Sequence, residues 1–175
     1  MPSPPWTLSH SPLPGTASTS ESRHVRIALY QPDIPQNTGA ILRLAACLGL
    51  SVDLIEPAGF VMNDRTLRRV GMDYLDLVQL QRHQSWSAYA DRRTPGQRLV
   101  LLTMRATQTH IDFDYRDDDT LLVGRESSGV PDEVHDMVDA RVRIPIRADA
   151  RSLNVVTALT LVAGEALRQL DEFPE

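Results

Sequence analysis

Three segments of the chain carry residues whose types and spacing can do chemistry. The first is NTGAILR, residues 37–43. Asn37 reads as the N-cap of a helix, because its side chain can satisfy a backbone N–H left orphaned at the helix head. That head is suited to anions. Gly39 allows a close backbone approach, and Arg43 follows on the same helix. The plainer alternative is a capped helix with a solvated arginine. The second segment is LLVGRESSGVP, residues 121–131, in which a buried strand runs into a loop bracketed by Gly124 and Gly129. Ligands of parallel α/β sheets bind at the carboxyl ends of strands. This loop can wrap a flat ligand, with Glu126 offering a carboxylate, or it can be an ordinary connection. The third is RIPIRADARSLNVVTAL, residues 143–159. Here Ile144 ends a strand, and Ser152, Leu153 and Asn154 stand at the head of a long apolar helix. Ser152 is the expected cap, and Asn154 is a polar group entering apolar surroundings that must find a partner. Capping alone is the competing reading.

Other familiar chemistries are absent from the sequence. No GxGxxG follows the first strand and no GxxxxGK[ST] occurs, which argues against a dinucleotide fold and a P-loop. No GxSxG elbow is present. His10, His24, His83, His110 and His135 show no ligand spacing and read as surface or structural residues. The single cysteine, Cys47, excludes an internal disulfide and a Cys-rich zinc site. It reads as a small core hydrophobe on the inward side of the first helix.

These residues need elements to position them. Residues 25–30 (VRIALY), 51–55, 98–102, 120–123 and 140–144 read as strands, and residues 37–48, 64–70, 85–91, 131–137 and 153–170 as helices. Gly49 stops the first helix. Strands alternating with helices predict an α/β fold with a mainly parallel sheet flanked by helices. The last helix is apolar nearly all round. This predicts burial on the sheet and on a second subunit. Residues 1–22 are rich in Pro and Ser and read as a disordered tail, leaving 23–175 as one domain.

Composition narrows the classes. The net charge of −5 argues against a protein that coats nucleic acid by charge alone, but leaves room for a local basic patch. Arginine dominates the cations and suits phosphate recognition, although genomic composition alone can produce the bias. Arg65, Arg68 and Arg69 cluster on the predicted 64–70 helix, either as a solvated face or as a contact to an RNA backbone. No apolar run reaches the roughly 20 residues of a membrane span, and the start lacks a secretory pattern. A cytoplasmic protein is the expectation.

Taken together and in order, the three segments resemble the motifs of the SPOUT superfamily. With IEPAGF and LRRVGMDY between them, they are similar to the TrmL type of tRNA wobble 2′-O-methyltransferase, from about residue 25 to 170. The resemblance implies an α/β sheet whose C-terminal segment forms a deep trefoil knot, and a homodimer with the site near the subunit interface. It implies S-adenosyl-L-methionine as methyl donor, held by Leu102, Gly124, Ile144, Ser152 and Leu153. It implies transfer to the ribose 2′-hydroxyl of the wobble cytidine or modified uridine in an anticodon stem-loop, with tRNA-Leu as the expected substrate. No metal is needed, because the sulfonium is already activated. By motif match Arg43, Asn37, Glu126 and Asn154 shape the catalytic site. Arg43 is expected to clamp phosphate and stabilise alkoxide charge, since a guanidinium is a poor base. Arg65, Arg68, Arg69 and Tyr74 are the expected RNA contacts, with Tyr74 available to stack on an unstacked base. Arg125 departs from the family, which commonly has proline there. The competing expectations are methylation of another tRNA or rRNA ribose, and a catalytically silent RNA-binding homologue.

Overall fold

The computed structural model describes residues 24–61 and 72–175. The N-terminal tail and the predicted basic helix with Arg65, Arg68 and Arg69 lie outside the described residues. In chain order the elements are β1 (Arg26–Tyr30), α1 (Pro35–Leu48), β2 (Ser51–Ile55), a 3-10 turn (Met72–Asp76), β3 (Leu80–His83), α2 (Trp86–Ala90), β4 (Arg98–Leu102), β5 (Asp119–Val123), α3 (Asp132–Met137), β6 (Ala140–Val142) and α4 (Val155–Leu170). The six strands form one sheet in the order β3-β2-β1-β5-β4-β6, and every pairing is parallel. The predicted α/β class is therefore observed.

Alternation along the strands sorts the core into two layers. Ile27 and Leu29 of β1, Val100 of β4 and Leu121 of β5 face α1 and α4. Ala28 and Tyr30, Leu99 and Leu101, and Leu122 face the other way, onto Trp86 and Tyr89 of α2 and Val134 of α3. This period of two produces a helix–sheet–helix sandwich. Buried charge is paired: the fully buried Asp119 receives both Nε and Nη2 of Arg98, at 2.6 and 2.7 Å.

Several expectations are corrected. α1 begins at Pro35 with Ile34 as N-cap, not at Asn37. Proline needs no N–H partner and its fixed φ suits the first helical position, so Asn37 falls inside the first turn and its side chain is released for other work. Gly39 is buried in the helix instead of lining a ligand site. Cys47 is exposed rather than in the core, because Ile41, Leu42 and Ala45 fill the inward stripe. β3 was not expected from LQRH, which has no apolar run. It is an edge strand pairing only with β2, and His83 alone is buried. β6 stops at Val142. Beyond it only Arg143 continues the pairing, as an isolated bridge with Thr109, and Pro145 has no N–H to offer. The last helix starts at Val155 and is capped by Asn154, not Ser152. Within one chain it is buried on a single face, with Leu161 45% exposed and Leu153, just before its cap, 39% exposed.

Candidate active site

The carboxyl ends of β5, β4 and β6, three neighbours in the sheet, open into one cavity of about 650 Å³. That volume falls within the range of small-molecule sites. Leu102 closes β4, Val123 closes β5 with Gly124 next, and Val142 closes β6 with Ile144 just beyond. The loop after β6 returns to the head of α4, adding Ser152, Leu153 and Asn154 to the wall. All five residues expected to hold a cofactor therefore line the same cavity.

The 124–129 turn forms one side of it. Arg125 and Gly129 exchange backbone hydrogen bonds at 3.0 and 2.8 Å, closing the turn on itself. A Cβ at Gly124 would lie 2.6 Å from the carbonyl carbon of Gly129, and Gly129 itself has φ +69°. Glycine is thus required at both ends of the turn, at 124 because only hydrogen fits against the Gly129 backbone and at 129 because of its positive φ.

A chain of hydrogen bonds runs along the cavity mouth and joins the three motif segments. Glu126 Oε2 accepts the Asp33 main-chain N–H at 3.0 Å, and Glu126 Oε1 accepts Asn37 Nδ2 at 3.0 Å. Asn154 Nδ2 donates to Asn37 Oδ1 at 3.2 Å. Asn154 Oδ1 in turn accepts the N–H groups of Val156 and Thr157, fixing the first turn of α4. Asn37, Glu126 and Asn154 are therefore brought together as expected. Asn154, however, is exposed and acts as a cap, where the sequence pointed to a buried polar group. Asp33 is a participant that the sequence reading missed. Its contact with Glu126, then the Ser127 hydroxyl, holds its carboxyl down at about 2 against the opposing effect of partial burial. No local signal marks it, since its partners are 93 and 94 residues away.

Arg43 stands apart from the cavity. It is six residues beyond Asn37, which on an α-helix is about 240° around and roughly 9 Å along. It is exposed, and its guanidinium carbon sits 4.7 Å from the centroid of the Tyr74 ring. One face of the expected stacking platform is thus occupied by the expected catalytic arginine. Among the described residues no cluster of three or more His, Cys, Asp or Glu could hold a metal ion, and no helix is long and apolar enough to cross a membrane.

The cavity's lining fits a nucleoside-type methyl donor. Leu102, Ile144 and Leu153 offer apolar walls, the turn offers backbone groups, and Asn37, Glu126 and Asn154 add polar side chains.

Comparison with known proteins agrees with this geometry. A protein of Beijerinckia indica subsp. indica named tRNA (cytidine(34)-2'-O)-methyltransferase is 59% identical over 145 residues, covering 82% of this chain and 91% of the relative. A solved structure described as giving insights into the 2-OH methylation of C/U34 on tRNA superposes with a TM-score of 0.79 at 38% identity, covering 85% of this chain and 92% of the other. An AdoMet-bound rRNA methyltransferase of Sinorhizobium meliloti superposes with a TM-score of 0.75 at 26% identity, covering 85% of this chain and 57% of the other. The pattern of the SpoU rRNA Methylase family matches residues 24–164. With that pattern matched over residues 24–164 and a relative 59% identical over 82% of its length, the chain belongs to the SpoU rRNA Methylase family.

Proposed function

We propose that this chain transfers a methyl group from S-adenosyl-L-methionine to the ribose 2′-hydroxyl of nucleotide 34, the wobble cytidine or modified uridine of a tRNA, with tRNA-Leu the first substrate to test. The observation that carries this is the convergence of Leu102, Gly124, Ile144, Ser152 and Leu153 on one cavity beside the Asn37–Glu126–Asn154 chain. The names of the relatives supply the position of the methyl group on the RNA.

Bound in the cavity, S-adenosyl-L-methionine supplies a methyl group already activated by its sulfonium, so no metal is required. The protein's work is orientation and charge stabilisation. The apolar walls and the 124–129 turn hold the donor. The Asn37 side-chain amide and the main-chain N–H of residue 33 fix the two oxygens of Glu126, which shapes the mouth where the ribose enters. Arg43 stabilises negative charge developing on the 2′-oxygen or clamps the neighbouring phosphate, and leaves the proton to phosphate or water.

Because Arg43 does not line the cavity of its own chain, the reading requires a homodimer in which two subunits build each site. The exposed Leu153 and Leu161 of the α4 region support a second copy packing there. Arg65, Arg68, Arg69 and Tyr74 are the proposed grip on the anticodon stem-loop, and a cytoplasmic location follows from a tRNA substrate. Membership of the family supports a C-terminal trefoil knot, formed where the chain after β6 passes back to α4.

The test is incubation of the purified protein with unmodified tRNA-Leu transcript and S-adenosyl-L-methionine, followed by fragment mass spectrometry. One added methyl on the ribose of nucleotide 34 is expected. Methylation confined to another nucleotide, or none despite donor binding by calorimetry, would refute the assignment.

A further inference from the structure

Asp33 lies in the short connection between β1 and α1; its main-chain N–H braces Glu126, whereas its carboxylate has no role assigned above in donor binding, RNA binding or chemistry. Its bonding is nevertheless directed at one target. Its main-chain N–H donates to the Glu126 carboxylate, and its own Oδ1 accepts the Glu126 main-chain N–H at 3.2 Å. The Ser127 hydroxyl donates to Oδ2, and Arg125 Nε stands 3.9 Å from that same oxygen. Three successive residues of the turn therefore meet a single carboxylate.

Asp33 is itself braced from behind. The Gly59 N–H donates to the carbonyl of Pro32 at 2.9 Å. A Cβ on Gly59 would come within 2.6 Å of the Asp33 Cβ, so the 57–60 loop packs against Asp33 as closely as a glycine permits. The turn, by contrast, has glycine at both ends and exposed serines at its crest, a composition with much conformational freedom to lose.

Building on the donor pocket described above, we propose that Asp33 is a positioning residue for the methyl donor: it clasps the crest of the 124–129 turn to the head of α1 and so sets donor affinity without touching the donor. The carboxyl held at about 2 keeps the clasp charged at every ordinary assay pH. Without it, the crest loses an N–H acceptor, a hydroxyl acceptor and a counter-charge together. Ordering the turn then falls to the incoming donor, whose apparent affinity drops by the fraction of turns still correctly folded.

The experiment compares wild type, Asp33→Ala, Asp33→Glu and Ser127→Ala by calorimetry with S-adenosyl-L-methionine and by steady-state kinetics on tRNA. Asp33→Ala is expected to raise both Kd and KM for the donor about tenfold, the size of losing charged hydrogen bonds. Its kcat at saturating donor should stay within about threefold of wild type. Asp33→Glu, which restores a carboxylate, should recover most of the affinity. A residue that merely stabilised the fold would lower the active fraction, and hence kcat, and leave donor KM unchanged. That result, or wild-type donor affinity in Asp33→Ala, overturns the proposal. Should Asp33→Ala not fold, Ser127→Ala at the exposed crest decides: weaker donor binding supports the clasp and unchanged binding overturns it. Failure of the wild-type protein to bind S-adenosyl-L-methionine would instead bring down the functional reading, so the two failures are distinguishable.

Discussion

Arg43 and Tyr74 were expected to serve different partners, one the reacting oxygen and the other an RNA base, yet they lie against each other. An exposed guanidinium over this half-buried ring gains about 0.5–1 kcal/mol, enough to favour one orientation of a long side chain but not to lock it. Arg43→Ala should therefore lower methyl transfer by about a hundredfold or more and leave donor binding untouched, because the arginine lies outside the donor cavity. Single-turnover transfer with calorimetry in parallel checks this, and retained transfer would remove Arg43 from the chemistry. At this scale the sequence was informative about identity and poor about role. Asn37, Glu126 and Asn154 do lie together, but Asn37 is not the cap of its helix and Asn154 is a cap instead of a buried polar group. Asn37 looked like the cap because asparagine is a preferred N-cap, and Pro35 had already started the helix two residues earlier. Asp33 could not be found at all, since a carboxylate in a proline-rich loop looks the same whether or not a turn 93 residues away rests on it.

Elements were more legible than residues. Regular runs such as VRIALY and the long last helix declared themselves through period and length. The misses share a cause: β3 owes its existence to β2 beside it, and its sequence LQRH carries no signal of its own. In the proposed reading, the glycine-bracketed turn is the element that shapes the donor cavity most directly. Gly124→Ala would place a methyl group 2.6 Å from the Gly129 backbone, and that backbone cannot swing aside as a side chain could. The turn must open. The expected result is loss of donor binding by at least about tenfold with the remainder of the sheet intact, measured by calorimetry beside circular dichroism. Normal donor affinity in this variant would show that the turn's closure is not what shapes the cavity.

The whole molecule is a parallel sheet with one functional edge, and the proposed dimer should be separable from the fold that supports it. Leu159 and Leu161 sit two residues apart on α4, one fully buried and the other 45% exposed. Leu161→Glu should leave a folded chain that sediments as a monomer and has lost methyl transfer. A stable, active dimer would place the subunit contact elsewhere. Helices flanking a parallel sheet were readable from the alternation of strand and helix patterns, whereas the proposed dimer was signalled by a helix too apolar for its one covered side. The bond between Asn37 and Asn154 spans 117 positions, and the cavity wall draws on residues from Ile34 to Ala158. During synthesis the protein therefore emerges from the ribosome with its early segment waiting for its late one. Until the head of the final helix has left the exit tunnel the cavity lacks part of its wall, and a chain truncated before residue 153 should bind no donor in calorimetry.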